Sequence, residues 1–291
     1  MRHTLRQQRT IAHTADVLGF GYWSSQDVRV QFRPAAENTG IVFVRDDLSP
    51  ARRIPANIEN RIETPRRTTL AADGAVVEMV EHIMAALWGL SIDNCEVHVD
   101  ACEMPGCDGS SQAYVDALRG AEIVEQDALR RQLIVTDTTR VGGDDAWVSA
   151  SPARDGLHIK YRLDYGNHTP IGRQTINLTV TPESFVAELA RARTFVLRQE
   201  AEWLREQGLG VRATYQDLLV FGEEGPLDNE LRFQDECVRH KTLDLVGDLA
   251  LAGCPVVGQI TAHRSGHRLN AELVRALLSE GQILEPLRKS A

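Results

Sequence analysis

The sequence predicts an α+β protein made of two halves with a similar order of elements. Three observations carry that expectation. The chain has 291 residues, too many for one small core. Its composition, 43% hydrophobic and 25% charged, is that of a globular protein able to bury a sizeable interior. Segments with strand-like alternation and segments rich in helix formers follow one another in each half.

In the first half, residues 28–32 (VRVQF) alternate, Pro34 and Gly40 punctuate, and residues 41–44 (IVFV) form a short β-branched run. Residues 80–90 (VEHIMAALWGL) are rich in strong helix formers, with Gly89 at the end. Residues 95–100 (CEVHVD) alternate again, and Asp108-Gly109-Ser110 opens a second helix over 111–118. In the second half, residues 132–136, 146–149 and 156–161 read as strands and 182–193 as a helix. A long helix over 231–251, a strand over 258–263 and a closing helix over 269–278 follow. Residues 196–229 fit neither pattern and read as an insertion. The halves join near residues 122–130, giving domains of 1–126 and 127–291.

Charge and segment composition narrow the function. A net charge of −9 leaves no electrostatic footprint for nucleic acid, and the Arg52-Arg53 and Arg66-Arg67 pairs are too short to make one. No apolar run reaches the length of a membrane span, and residues 1–8 lack a secretory apolar region. A cytoplasmic protein with no transmembrane segment and no nucleic-acid partner is expected. Cysteines 95, 102, 107, 237 and 254 are odd in number and lack CxxC spacing, which reads as reduced thiols.

His240 and Asp244 stand four apart in DECVRHKTLDLVGDL (235–249), so on a helix they share one face, which Asp248 continues. Two inward ligands on one rigid helix suit a metal such as zinc, which takes nitrogen and oxygen ligands tetrahedrally. On spacing alone, an exposed His–Asp contact is the commoner case. His82 lies in an apolar helix, where a satisfied core histidine is the usual finding. Glu81 beside it shifts the balance in part, because a buried charged pair without partners is costly. A carboxylate next to a ligand also suits a general base. The absence of HExxH excludes the common metalloprotease pattern. His267 falls in a strand-to-helix connection, a usual place for catalytic side chains and equally for a helix-start histidine with no role.

Taken together, these segments resemble one family, the UDP-3-O-acyl-N-acetylglucosamine deacetylases, zinc amidases of lipid A biosynthesis. The resemblance rests on VEHIMAALWGLSIDN (80–94), Asp108-Gly109-Ser110, Ala192-Arg193-Thr194-Phe195, DECVRHKTLDLVGDL (235–249) and RSGHRLN (264–270). Arg33-Pro34-Ala35 and Asn38-Thr39-Gly40-Ile41 add to it. It implies two layered α+β domains packed around a zinc site, with an insert in each, the second over about 196–229. It implies that His82, His240 and Asp244 hold zinc and that Glu81 is the general base. His267 would be the cationic proton donor oriented by Asp248, with Thr194 helping to hold the oxyanion and Lys241 and Phe195 contacting the substrate. The implied substrate is an acylated UDP-amino-sugar, which loses its acetyl group by hydrolysis.

The chain departs from the family pattern outside these positions. Trp23 stands where the family has histidine, Gly106-Cys107 replaces Ile-Met, and Val196-Leu197 replaces Gly-Phe. Residues 211–217 replace a glycine-rich stretch, and Arg264 stands for lysine. Two other readings follow: a zinc amidase for another N-acetylated sugar or nucleotide-sugar, and a non-catalytic binding homologue. Intact Glu81 and His267 count against the latter.

Overall fold

Period-two alternation buries Val28, Val30 and Phe32 on one face of strand Asp27–Pro34 and leaves Arg29 exposed. The computed structural model, which describes residues 5–285, places this strand second in a five-stranded sheet. The order is Ala15–Phe20, Asp27–Pro34, Cys95–Val99, Ile41–Arg45, Arg52–Pro55. Residues 1–4 and 286–291 of the two expected domains lie outside the described residues. Only the Ile41–Arg45 and Cys95–Val99 pair is parallel. A parallel pair needs a long crossover, and that crossover contains helix α1 (Glu81–Gly89). Helix α2 (Gln112–Gly120) packs on α1 and on strand Ala15–Phe20. Before α1 the crossover also holds a small sheet of Arg61–Ile62, Thr69–Ala72 and Ala75–Glu78. Its hairpin turns at Asp73-Gly74, with φ of 50° and 74°, the left-handed pair a two-residue hairpin favours.

The second half is centred on strand Val256–His263. Trp147–Ser151 pairs with it antiparallel, and Leu157–Asp164 pairs with it parallel on the other side. Thr139–Gly142, Arg173–Val180, Gln132–Ile134 and Gln282–Leu284 complete a seven-stranded sheet. The helical segments are α3 (Pro182–Ser184), which runs into a π-helical turn at Phe185–Leu189, α4 (Arg198–Glu206), α5 (Glu236–Leu249) and α6 (His267–Glu280). Helix α5 packs on Leu157–Asp164 and Arg173–Val180, and α6 on Thr139–Gly142 and Trp147–Ser151. The helices of the two halves meet where α1 crosses α5. Gly247 permits that crossing, since a Cβ there would lie 2.2 Å from the Glu81 carbonyl oxygen.

The α+β class is as expected, and the structure refines the elements. The joining segment contains a strand, Ile123–Leu129, paired antiparallel with Gln7–Ile11; one face is largely exposed and the other only partly covered, so it carries no core-facing apolar alternation. The helix expected over 182–193 ends at residue 189, because Ala190 and Ala192 turn their carbonyls to Ser111 and His240 instead. The helix expected from residue 231 starts at Glu236, whose carboxylate accepts the Arg232 backbone N–H. The segment 196–229 holds a short βαβ unit: Phe195–Leu197, α4 and Leu219–Phe221, the two strands parallel. All five cysteines are free.

Candidate metal centre and active site

Helices α1 and α5 bring three ligand-type side chains together from distant parts of the chain. His82 is the second residue of α1, and His240 and Asp244 lie one turn apart on α5. His240 Nε2 is 3.4 Å and His82 Nε2 3.6 Å from Asp244 Oδ1, and the three ligand atoms lie within 4.8 Å of one another. The imidazoles meet edge to face, with centroids 5.1 Å apart. All three residues are buried.

The donor set fits a cation. The Ala192 carbonyl can only accept a proton, so the contact of 3.1 Å from His240 Nδ1 puts the hydrogen on that nitrogen and leaves Nε2 as a lone-pair donor. Burial pushes the His240 imidazole down to about 3, which keeps it neutral, the form that ligates metal. Burial pushes the Asp244 carboxyl up, but its charged and hydrogen-bonding neighbours, cationic Lys241 among them, outweigh it and hold it well below the usual carboxylate range. Lys241 Nζ donates to Asp244 Oδ2 at 2.6 Å. Asp244 Oδ1, however, is buried with no hydrogen-bond partner. Leaving a buried acceptor unpaired costs about 1–3 kcal/mol, and more when it is charged. A metal ion shared with the two imidazoles would relieve that cost.

Beside this group stand the other expected residues. Glu81 is buried at the start of α1, and burial raises its carboxyl above the ordinary value. His267, the first residue of α6, donates from Nδ1 to Asp248 Oδ2 at 2.9 Å, while its Nε2 lies 4.0 Å from Asp244 Oδ2. Burial alone would lower His267, but the charge and hydrogen bond of Asp248, with Glu81 and Asp244 behind them, raise it to about 9. His267 therefore starts a helix, and its ring still faces the metal-ligand group. The Thr194 N–H donates to the Gly109 carbonyl at 2.7 Å. Gly109 has φ of 81°, and a Cβ there would approach the Asp217 carbonyl oxygen to 2.8 Å, so the Asp108-Gly109-Ser110 turn needs glycine to seat Thr194. The Phe195 ring packs edge-on against His240 at 6.3 Å between centroids.

All of these side chains except Asp248, which lies behind His267, line one cavity of about 1220 Å³. Its apolar wall is the α4 unit, where Leu197, Ala201 and Leu204 fall on one helical face. Asp164, Arg173 and Arg264 line a polar part. Three site features carry no signal in the sequence pattern. Thr68 contacts Glu81, Asp248 and His267. Asn270 donates to Asp248 Oδ2 at 2.8 Å. Arg193, quoted only as part of a motif, makes a buried ion pair with Glu236 at 2.8 Å, and its backbone N–H donates to the same carboxylate. Glu236 is fully buried, so its charge needs this partner, but that burial is decided by the fold and leaves no mark in the sequence.

The family model described as UDP-3-O-acyl N-acetylglycosamine deacetylase (LpxC) matches residues 8–279. The chain belongs to this family. It is 40% identical over 277 residues to the UDP-3-O-acyl-N-acetylglucosamine deacetylase of Shewanella sp. (strain W3-18-1), covering 94% of this chain and 90% of the relative. It is 38% identical over 271 residues to the deacetylase of the same name from Oleidesulfovibrio alaskensis, covering 93% and 88%. A Myxococcus xanthus deacetylase of that name is 38% identical over 286 residues, covering 98% and 90%. In this member of the LpxC family, Trp23 lines the cavity with the Arg67 guanidinium 4.8 Å over its ring. No helix among the described residues is long and apolar enough to cross a membrane.

Proposed function

We propose that this chain hydrolyses the acetamide of UDP-3-O-acyl-N-acetylglucosamine, releasing acetate, as a zinc-dependent step of lipid A biosynthesis. The observation that carries the reading is the unpaired, buried Asp244 Oδ1 facing two imidazole nitrogens at the floor of a cavity with an apolar wall. His82, His240 and Asp244 are the residues to hold the ion. Bound there, zinc supplies a Lewis acid that polarises the amide carbonyl and makes water more acidic.

The remaining steps belong to side chains. Glu81, its basicity raised by burial, takes a proton from the attacking water as the oxygen bonds to the carbonyl carbon. The Thr194 hydroxyl donates to the oxyanion that develops, a preorganised contact of the kind that contributes most to such reactions. The C–N bond then breaks, and cationic His267 passes a proton to the departing nitrogen. Asp248 keeps His267 charged and oriented. Lys241 and Phe195 contact the substrate, and the α4 wall receives its acyl chain. The same reading takes residues 1–126 and 127–291 as the two domains, meeting at the α1–α5 crossing.

The test is amine release from UDP-3-O-(3-hydroxyacyl)-N-acetylglucosamine by parent and Glu81→Ala protein, each stripped with chelator and reloaded with zinc. Turnover restored by zinc in the parent and absent in the metal-loaded variant is expected. No turnover by zinc-loaded parent, with release from a different N-acetylated sugar, would replace the substrate.

A further inference from the structure

Glu81, Asp248 and His267 stand on three different helices, α1, α5 and α6, and the reaction read above needs the base and the acid at a fixed separation. Thr68, the residue just before strand Thr69–Ala72 of the small inserted sheet, touches all three. The Thr68 backbone N–H donates to Glu81 Oε2 at 2.9 Å. Its Oγ1 donates to Asp248 Oδ1 at 2.6 Å and lies 3.2 Å from His267 Nδ1. Thr68 is 1% exposed, so water does not compete for these contacts.

The hydroxyl completes the hydrogen bonding of Asp248. Oδ2 already accepts from His267 Nδ1 and Asn270 Nδ2, and Thr68 occupies Oδ1, so each carboxylate oxygen has its own donor and the group is locked against rotation. Because Thr68 is pinned to Glu81 through its backbone, the same residue ties the orientation of the acid to the position of the base. We infer that Thr68 is a positioning residue for hydrolysis: its hydroxyl orients the Asp248–His267 pair while its backbone N–H holds Glu81. The inference rests on the assignment of Glu81 and His267 as base and acid.

Side-chain substitution leaves the backbone N–H in place and so reads the hydroxyl alone. Thr68→Val keeps the shape and removes the donor, Thr68→Ala removes it without a replacement methyl, and Thr68→Ser keeps it. Measured on zinc-loaded protein beside the parent and Glu81→Ala, Thr68→Val and Thr68→Ala should retain bound metal and KM. Both should lose kcat by roughly 10–100-fold, the usual effect of removing a partner that orients an active-site group. The proton resonance of His267 Nδ1–H should move in both variants, and Thr68→Ser should recover most of kcat and the parent resonance. Parent kcat with an unmoved resonance in Thr68→Val overturns the inference, as does a Thr68→Ser variant as slow as Thr68→Val. Either result leaves the proposed function standing if Glu81→Ala remains inactive; full activity in Glu81→Ala would instead remove the reading on which the inference rests.

Discussion

Two histidines of this site are driven in opposite directions by their neighbours. Burial takes His240 down to about 3, whereas the Asp248 carboxylate outweighs burial and takes His267 up to about 9. In the proposed reaction the first would be kept neutral for a metal and the second charged for a leaving group. Below the ordinary histidine value, about 6.5, His267 is protonated in the folded and unfolded chain alike, and the Asp248 pair contributes its full stabilisation. That contribution is lost as pH rises through about 9. The alkaline limb of kcat should therefore lie near pH 9, and in Asp248→Asn it should move toward 6.5, as a pH–rate profile of both proteins will show. An unmoved limb would separate Asp248 from the proton donor. The Arg193–Glu236 pair, with side chains 5% and 0% exposed, gives a stability prediction. Glu236→Ala leaves a guanidinium buried without its carboxylate and should cost about 3–5 kcal/mol by denaturant unfolding.

At the scale of elements, the proposed metal site depends on how closely α1 approaches α5. His82 rides on one helix and Asp244 on the other, and Gly247 sits against the Glu81 carbonyl at the crossing. Gly247→Ala places a Cβ where backbone already lies, and because the contact is with main chain the helices must move apart. We expect a loss of about 1–3 kcal/mol in stability and at least a tenfold loss of zinc affinity, read by competition with a chromophoric chelator. An unchanged affinity would mean that the ligands adjust independently of the crossing. The helix ends show why element boundaries escaped the sequence. Residues 231–235 continue the helix-forming composition of α5, but Arg232 is committed to Asp108 at 2.7 Å. Residues 190–193 are likewise drawn out of a helix by hydrogen bonds to Ser111, His240 and Glu236.

At the scale of the molecule, the cavity draws on both halves of the chain, with Trp23, Glu81 and His82 from the first and His240, Lys241 and the α4 wall from the second. Filling its apolar part should discriminate among acyl chains. Leu204→Trp should raise KM for long-acyl substrates and leave kcat and short-acyl KM nearly unchanged; an equal effect on all lengths would place the chain elsewhere. Because the proposed ligands come from two helices that pack across the halves, metal should stabilise the whole fold. Zinc added to chelator-stripped protein should raise Tm, and saturation at 100 times Kd should add about 2.7 kcal/mol, measured by thermal unfolding with and without the metal.

The sequence alone carried the fold class, the strand and helix text around residues 28–32, 80–90 and 258–263, and nine candidate residues for one site. Those signals are local: alternation, helix-forming composition, a four-residue spacing, and motifs whose residue types suit one chemistry. It could not show Thr68 as a bridge, because its partners Asp248 and His267 are 180 and 199 residues away. Nor could it show that the segment at 122–130 is a strand, since that strand exists through pairing with Gln7–Ile11. Only the tertiary structure decided that His82 faces Asp244 and that Asp244 Oδ1 lacks a partner. Hydrogen-bond satisfaction and the close approach of helices depend on which distant backbone comes near, and a pattern confined to neighbouring residues does not contain that information.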